Sequence, residues 1–225
     1  MRTLRIVNLL AKAALLLLLV HAALFPDLPQ YQGKGIGWRL LLYPLPTVVV
    51  PIIWWIAHRR RAPLTRYPDL IDLCVVLPFL IDTAGNAVNL YDSVSWWDDA
   101  MHVVTWIPWV TAVGLATRYR PLERWNVAAL TIGFGSTTHI LWEFGEYVSF
   151  VNDNPGESAT AYRDTIGDLL ASLGGSVIGA LLVTTVLWDI GRPVRVGPPA
   201  PPGPSPRTPS ERTPASGGAV PRRPQ

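Results

Sequence analysis

The stretch Ala13-Ala-Leu-Leu-Leu-Leu-Leu-Val20 is the centre of an apolar run over about residues 4–25. A bilayer core about 30 Å thick needs about 20 mostly apolar residues of α-helix, so this run is long enough to span a membrane. Arg2 and Arg5 before it also resemble the basic region of a signal peptide. The length of the run and the lack of a convincing cleavage site favour a retained helix, with a cleaved signal as the alternative.

Five more runs of similar length follow, at about residues 39–57, 70–90, 100–117, 125–148 and 166–188. Prolines inside the second run predict a bend, and Pro108 predicts a kink in the fourth. Glycines four residues apart, Gly175 and Gly179, predict close helix packing in the sixth. The expected fold is therefore all-α: an integral membrane bundle of six transmembrane helices over residues 1–188.

Composition supports this class of protein. Of 225 residues, 49% are hydrophobic and only 16% are charged, against about 25% charged in soluble domains. Mean hydropathy is +0.26. The single cysteine, Cys74, forms no intramolecular disulfide and no CxxC motif. These values argue against a soluble enzyme, a disordered protein and a disulfide-stapled secreted domain.

The last residues differ from the rest of the chain. Eleven of the 22 prolines lie in the segment 189–225, among Ser, Gly and six Arg. Such a segment buries too little apolar surface to offset its ordering entropy, so we expect it to be disordered. Because the basic excess lies there, the net charge of +3 predicts no nucleic-acid partner. Membrane lipids are the expected partners, and the oligomeric state is not indicated.

Basic residues predict the orientation of the bundle. If six spans alternate, sixteen of the 19 Lys and Arg residues fall on one side, which the positive-inside rule makes cytoplasmic. Only Lys34, Arg39 and Arg163 fall on the other side. The sequence therefore predicts six spans with both termini in the cytoplasm.

Polar residues recur at helical spacing in four of the runs. Asp82 and Asn86 lie one turn apart in the third run, and His139 and Glu143 in the fifth, with Glu146 on the same face. Asp98 or Asp99 precedes His102 by one turn, and Asp164 precedes Asp168. With the predicted orientation, all four stripes lie within about 15 Å of the extracytoplasmic boundary.

Ionisable groups at this depth need a balancing charge. Each costs about 2.5–3.5 kcal/mol on insertion scales and usually faces a bundle interior or a water-filled cavity. Neighbouring carboxylates repel one another or take up protons. We therefore expect a metal ion, shared protons or an arginine among them, and only Arg39 and Arg163 are well placed to be that arginine.

Three segments carry a resemblance to a known family. Residues 97–102 (WDDAMH), 142–147 (WEFGEY) and 164–170 (DTIGDLL) look like the signatures of the YjdF-like bacterial inner-membrane proteins. The resemblance covers about residues 67–188. It implies a multi-pass protein of the bacterial plasma (inner) membrane whose activity is unassigned, and so it supplies a topology and no reaction.

One polar cavity open to the outside is therefore predicted between spans three and six. His102, His139, Glu143 and Asp168 are the candidate ligands of a divalent metal such as Zn, Mn or Fe. Glu146 is the candidate general base, since a carboxylate beside an activated water can accept its proton. The expected cavity wall or outer contacts are Asp82, Asn86, Asp98, Asp99, Asp164 and Arg163.

Several functions fit this pattern. A metal-dependent, hydrolase-like enzyme acting on a lipid or lipid-linked substrate is favoured, because the inner halves of the spans are nearly all apolar. A proton- or cation-coupled transporter would need polar groups through the full depth. A non-catalytic membrane partner or sensor, and a proton-sharing network that only ties the helices together, stay open.

Overall fold

The computed structural model describes residues 2–59, 66–117, 120–148 and 155–189, without the side chains of 155–158. All regular structure in these ranges is helical, which confirms the predicted fold class. A 3-10 helix at Pro29–Tyr31 follows the first α-helix. The α-helices are α1 (Arg2–Leu24), α2 (Ile36–Leu42), α3 (Pro46–Arg59), α4 (Asp69–Ala87), α5 (Leu90–Ser93), α6 (Trp97–Thr117), α7 (Arg124–Glu146) and α8 (Pro155–Thr184).

Five helical stretches are long and apolar enough to cross a membrane by length and composition. They correspond to the first, second, third, fourth and sixth predicted spans: Arg2–Leu24, Ile36–Arg59, Asp69–Ala87, Trp97–Thr117 and Ala159–Thr184. The fifth predicted span forms α7, which has 23 residues but is not one of these five apolar stretches. The count of six spans therefore stays a prediction. Apart from Asp189, the predicted disordered segment lies outside the described residues.

The surface of the bundle is apolar and its interior contains polar groups. Leu10 and Leu17 are 63% and 69% exposed, while Asp72 and Thr131 are fully buried. Exposed apolar patches of this extent are rare on soluble proteins and mark contact with a membrane or a partner. This distribution is typical of a helical bundle whose solvent is lipid.

Prolines break the second span into two helices, which confirms the predicted bend. α2 ends at Leu42 and α3 begins at Pro46, with Pro44 between them. A proline cannot donate the backbone hydrogen bond that a continuous helix requires. By contrast, α6 continues through Pro108 without interruption.

Glycines bring α6, α7 and α8 into close contact. A Cβ atom at Gly175 would clash with the backbone carbonyl of Val103, and one at Gly179 would lie 2.8 Å from the carbonyl oxygen of Ile107. A Cβ atom at Gly135 on α7 would clash with Oγ of Ser176. The predicted packing role of Gly175 and Gly179 is thus confirmed. This contact also brings the first two turns of α6 beside residues 164–175 in the middle of α8, which is where the polar residues of both helices lie.

Candidate functional site

A cavity of about 420 Å³ opens at the end of the bundle where α4 and α7 end and where α6 and α8 carry their first polar residues. The connection between α1 and α2 closes one side of it. Its polar and charged lining residues include Gln32, Lys34, Arg39, Tyr43, Asp82, Asn86, Tyr91, Asp92, Asp98, His102, Thr138, Glu143, Glu146, Asp164 and Thr165.

His102 and Glu143 line this cavity, and the buried His139 lies behind them; we call these three residues the histidine–glutamate cluster. One ligand atom from each lies within 4.8 Å of the other two. The imidazole centroids of His102 and His139 are 5.1 Å apart. His139 and Glu143 are one turn apart on α7, so helical spacing places both on one face, and the packing of α7 turns this face toward α6 and α8. Their side chains therefore converge from two neighbouring helices.

The contact between His139 and Glu143 is not a hydrogen bond. Nε2 of His139 and Oε1 of Glu143 are 3.0 Å apart, yet both atoms are buried and neither has a hydrogen-bond partner among the described residues. Nδ1 of His139 is also without one. Buried polar atoms are nearly always hydrogen-bonded. A metal ion between these two adjacent electron-pair donors would complete the arrangement, and so would a proton shared between them.

Two hydroxyl groups fix the orientation of this cluster. Oγ1 of Thr165 donates a hydrogen bond of 3.1 Å to Oε2 of Glu143, which leaves Oε1 directed at His139. Oγ of Ser172 lies 3.3 Å from Nδ1 of His102. Contacts of this kind set the tautomer and the direction of metal-binding side chains.

A second group of possible ligands shares His102. Nε2 of His102 lies 3.5 Å from Oδ1 of Asp168 and 3.7 Å from Oδ1 of Asp98. Asp168 is almost completely buried, whereas the Asp98 side chain is half exposed. The one-turn spacing of Asp98 and His102 on α6 and the close contact of α6 with α8 produce this arrangement. His102 therefore links the two groups.

Aromatic rings enclose the histidines. The indole of Trp106 lies 4.8 Å from the ring of His139 in an edge-on arrangement and 6.4 Å from the ring of Trp142. Its Nε1 donates to the carbonyl oxygen of Gly135 at 3.1 Å. The cluster thus has polar groups toward the cavity and an apolar floor toward the middle of the bundle.

Asp82 forms the opposite wall and accepts hydrogen bonds from several groups. Tyr43 and Tyr91 donate to its two carboxylate oxygens at 2.7 and 2.8 Å, and Arg39 pairs with it directly. Asn86 also donates to it, at 3.3 Å. Of the two arginines expected near the carboxylates, Arg39 therefore lies in the cavity. Burial and the adjacent Asp82 carboxylate raise the pKa of Tyr91 above its usual value.

Most of the other sequence-predicted residues also lie at the cavity. Glu146 and Asp164 belong to its lining. Asp99 and Arg163 are exposed and do not belong to its described lining. The roles assigned to all these residues from sequence stay predictions, since geometry alone does not assign them.

The opposite end of the bundle contains a second buried polar cluster, centred on Asp72, which with Asp69 is the expected exception to the apolar inner halves. Nζ of Lys12 lies 2.6 Å from Oδ2 of the fully buried Asp72. Asn8 donates to the same oxygen at 2.7 Å, and Tyr67 also donates to it. Lys12 is one of the sixteen basic residues that the sequence assigns to the cytoplasmic side, and its position inside α1 directs it to α4.

These features define a class: multi-pass helical membrane proteins with a histidine–carboxylate cavity at one end of the bundle. Residues 8–189 match the model of a family described as predicted membrane proteins, DUF2238. The chain belongs to this family. No curated protein and no solved structure gives a significant match.

Proposed function

We propose that the protein is a metal-dependent hydrolase that acts on a lipid or lipid-linked substrate at the extracytoplasmic surface of a bacterial plasma membrane. The observation that carries the proposal is the pair of buried, unsatisfied atoms Nε2 of His139 and Oε1 of Glu143, 3.0 Å apart. His102 is the third ligand. Imidazole and carboxylate ligands suit Zn, Mn or Fe.

Asp168 has a different place in this proposal from the other three ligands. It belongs to the group with Asp98 and His102, not to the histidine–glutamate cluster. We assign it as the residue that orients His102 or completes the metal coordination from the α8 side. Ser172 and Thr165 hold the ligands in place from α8.

The reaction is addition of water to an ester or phosphoester. A divalent metal at the cluster supplies Lewis-acid activation of the water. The carboxylate of Glu146 accepts the proton of the attacking water. As the bond to the leaving oxygen breaks, Glu146 returns this proton to it. Arg39 and Lys34 lie in the same cavity and can bind an anionic oxygen of the substrate.

Metal content tests the first part of the proposal. We expect purified wild-type protein to hold one divalent metal per chain, and Glu143→Gln and His139→Ala to lose most of it. His21→Ala is the matched control, because His21 contacts Tyr31 at 2.9 Å and belongs to neither group of possible ligands. Wild-type protein without metal would instead favour a network that shares protons and ties the helices together.

Hydrolysis tests the second part. We expect metal-loaded protein to release a water-soluble headgroup from vesicles of a bacterial lipid extract. Glu146→Gln should lose this activity by at least 100-fold and keep its metal, because it removes a proton acceptor and no ligand. Metal binding without any release of headgroup would contradict the enzyme and favour a carrier or sensor.

Six spans with cytoplasmic termini are part of the same proposal. Cysteine at position 154 (Asn154→Cys) should react with a membrane-impermeant thiol reagent in intact cells, and cysteine at position 60 (Arg60→Cys) should not. The native Cys74 is buried, so it adds little background. The reverse labelling would move the cavity to the cytoplasmic side.

A further inference from the structure

A second opening lies beside the polar cavity, on the flank of the bundle between α2 and α7; we call it the lateral groove. It has a volume of about 310 Å³. Leu42, Leu141, Phe144 and Val148 line it, and each of these side chains is about half exposed or more. The groove therefore offers an apolar surface at the flank, where lipid surrounds the helices.

The lateral groove is continuous with the polar cavity. Five residues line both spaces: Lys34, Arg39, Tyr43, Trp142 and Glu146. Two of these are the basic residues of the polar cavity, and each is paired with a carboxylate: Lys34 with Asp92 at 2.7 Å, in a partly exposed ion pair, and Arg39 with Asp82. The junction of the two spaces therefore carries ion pairs, of which the Lys34–Asp92 pair is open to exchange with an anionic group of a ligand. An amphiphile could therefore extend from one space into the other without leaving the protein surface.

Helix packing leaves this flank open. α2 packs mainly against α1, makes few contacts with α7 and contains no buried residue. Trp38 on α2 is 55% exposed at the rim, a position that suits an interfacial aromatic residue. The space between α2 and α7 is thus accessible sideways from the bilayer.

The charges in the two spaces follow a definite order. The groove is lined mainly by apolar side chains, and the junction carries Lys34 and Arg39 in their ion pairs with Asp92 and Asp82. Four further carboxylates line the polar cavity: Asp98, Glu143, Glu146 and Asp164. Even a bound divalent metal would offset only half of that acidic excess. The inner part of the cavity therefore favours a positively charged group.

We propose that the lateral groove holds a hydrocarbon chain of a membrane phospholipid with an amine headgroup, which enters the polar cavity from the side. The chain lies against α2 and α7, the phosphate lies at Lys34 and Arg39, and the ammonium group lies among the carboxylates. This order of apolar, anionic and cationic parts is the order found along an aminophospholipid. The inference names the substrate class for the proposed hydrolase and rests on that function only for the role of the polar end.

A partner helix is a poorer occupant. An α-helix with its side chains is about 10–12 Å across, so one turn fills about 500 Å³, which is more than the groove volume of about 310 Å³. An anionic lipid such as phosphatidylglycerol would present no positive group to the carboxylates. Both alternatives give different results in the test below.

Gly145 on α7 allows the groove to be filled without disturbing the core. It lines the groove and is exposed, and a Cβ added to it would meet no other group within 4 Å. Gly145→Phe should therefore occupy the space of the lipid chain. Gly133 is the matched control, because it lies on the same helix, is exposed, has equally free space and lines neither opening.

Lipid binding is measured with radiolabelled dioleoylphosphatidylethanolamine in detergent micelles, after metal has been removed with a chelator. We expect saturable binding of one lipid per chain by wild-type protein and by Gly133→Phe, and binding at least tenfold weaker in Gly145→Phe. Dioleoylphosphatidylglycerol should bind at least fivefold more weakly than the amine lipid. Unfolding of all three proteins is monitored by circular dichroism, and their melting curves should coincide.

Equal binding by Gly145→Phe and wild type would overturn the groove as the chain site. Equal loss in both phenylalanine variants would show a nonspecific lipid shell and would also overturn it. Phosphatidylglycerol binding as tight as that of the amine lipid would overturn the headgroup assignment. The proposed hydrolase fails separately, through metal content and headgroup release, because the lipid measurement is made without metal.

Discussion

Replacing Lys12 with methionine should strongly destabilise the bundle, although Lys12 is far from the candidate site. Its ammonium group lies 2.6 Å from Asp72 and donates 2.8 Å to the carbonyl oxygen of Thr47. Asp72 is fully buried. The substitution keeps the apolar stem and removes the charge, so Asp72 is left as a buried carboxylate held only by Asn8 and Tyr67.

The expected cost is about 3 kcal/mol in the free energy of unfolding. Removal of one member of a buried ion pair costs about 3–5 kcal/mol, and the two surviving hydrogen bonds favour the lower end. Arg5 and Asp69 provide the comparison, since their ion pair of 3.2 Å has an Arg5 side chain that is 55% exposed. Exposed pairs contribute about 0–1 kcal/mol, so Arg5→Met should cost little.

Equilibrium unfolding in mixed micelles measures these free energies. Lys12→Met with Asp72→Asn should recover part of the loss, because no unpaired charge remains buried, and Lys12→Met should keep its metal content. A loss below about 1 kcal/mol, or equal to that of Arg5→Met, would refute the reasoning that Lys12 neutralises Asp72. Loss of metal in Lys12→Met would refute the independence of the two polar clusters.

Three further predictions concern the cavity and its surroundings. Thr165→Val should lower metal affinity by about 10–100-fold, because outer contacts of ligands contribute that much. Thr137→Val should leave the metal affinity unchanged, since that hydroxyl is exposed and donates to a carbonyl oxygen of its own helix. Competition with a chelator measures both affinities. Gly135→Ala should lower the free energy of unfolding by about 1–3 kcal/mol, because the added methyl group overpacks the contact with Ser176. Gly133→Ala should not lower it, and thermal melting measures both variants. Tyr91 has a raised pKa in the folded protein, so its stabilising effect should be complete below pH 10 and decline above it; Tyr91→Phe should flatten the fall of stability between pH 10 and 11.

Local spacing accounts for the part of the site that the sequence predicts well. His139 and Glu143, and likewise Asp98 and His102, lie on one face of a helix because they are four residues apart. Burial costs then require these faces to turn inward, since lipid cannot solvate them. The sequence does not specify which faces meet. That depends on the contact of α6 with α8, for which the glycines of α8 were the only local sign.

Contacts between residues that are far apart in the sequence cannot be predicted from local spacing. Tyr43 and Tyr91 donate to Asp82 from segments that show no polar periodicity. In the sequence, Ser172 and Thr165 are indistinguishable from other small residues of an apolar helix. The ion pair of Lys12 with Asp72 is the one such contact that the sequence could have predicted. A lysine in the middle of an apolar run needs a buried acid, and Asp72 is the acid at a comparable depth from the same end of the bundle.

The second cluster reopens the comparison between an enzyme and a carrier, because polar groups now occur at both ends of α4. Asp72 and Asp82 are ten residues apart, or about 15 Å along the helix. The core of the described bundle combines apolar residues such as Cys74, Ala112 and Val183 with the buried hydroxyls of Thr111, Thr131 and Ser176. The buried Asp and His side chains lie at the two polar ends of the bundle. A carrier must open a polar path through this core, whereas a hydrolase needs only the one-sided cavity. In proteoliposomes the protein should therefore cause no proton flux, and Asp72→Asn should not alter headgroup release beyond its effect on stability. A flux that depends on both Asp72 and Glu143 would reverse this preference, since only a carrier couples the two ends.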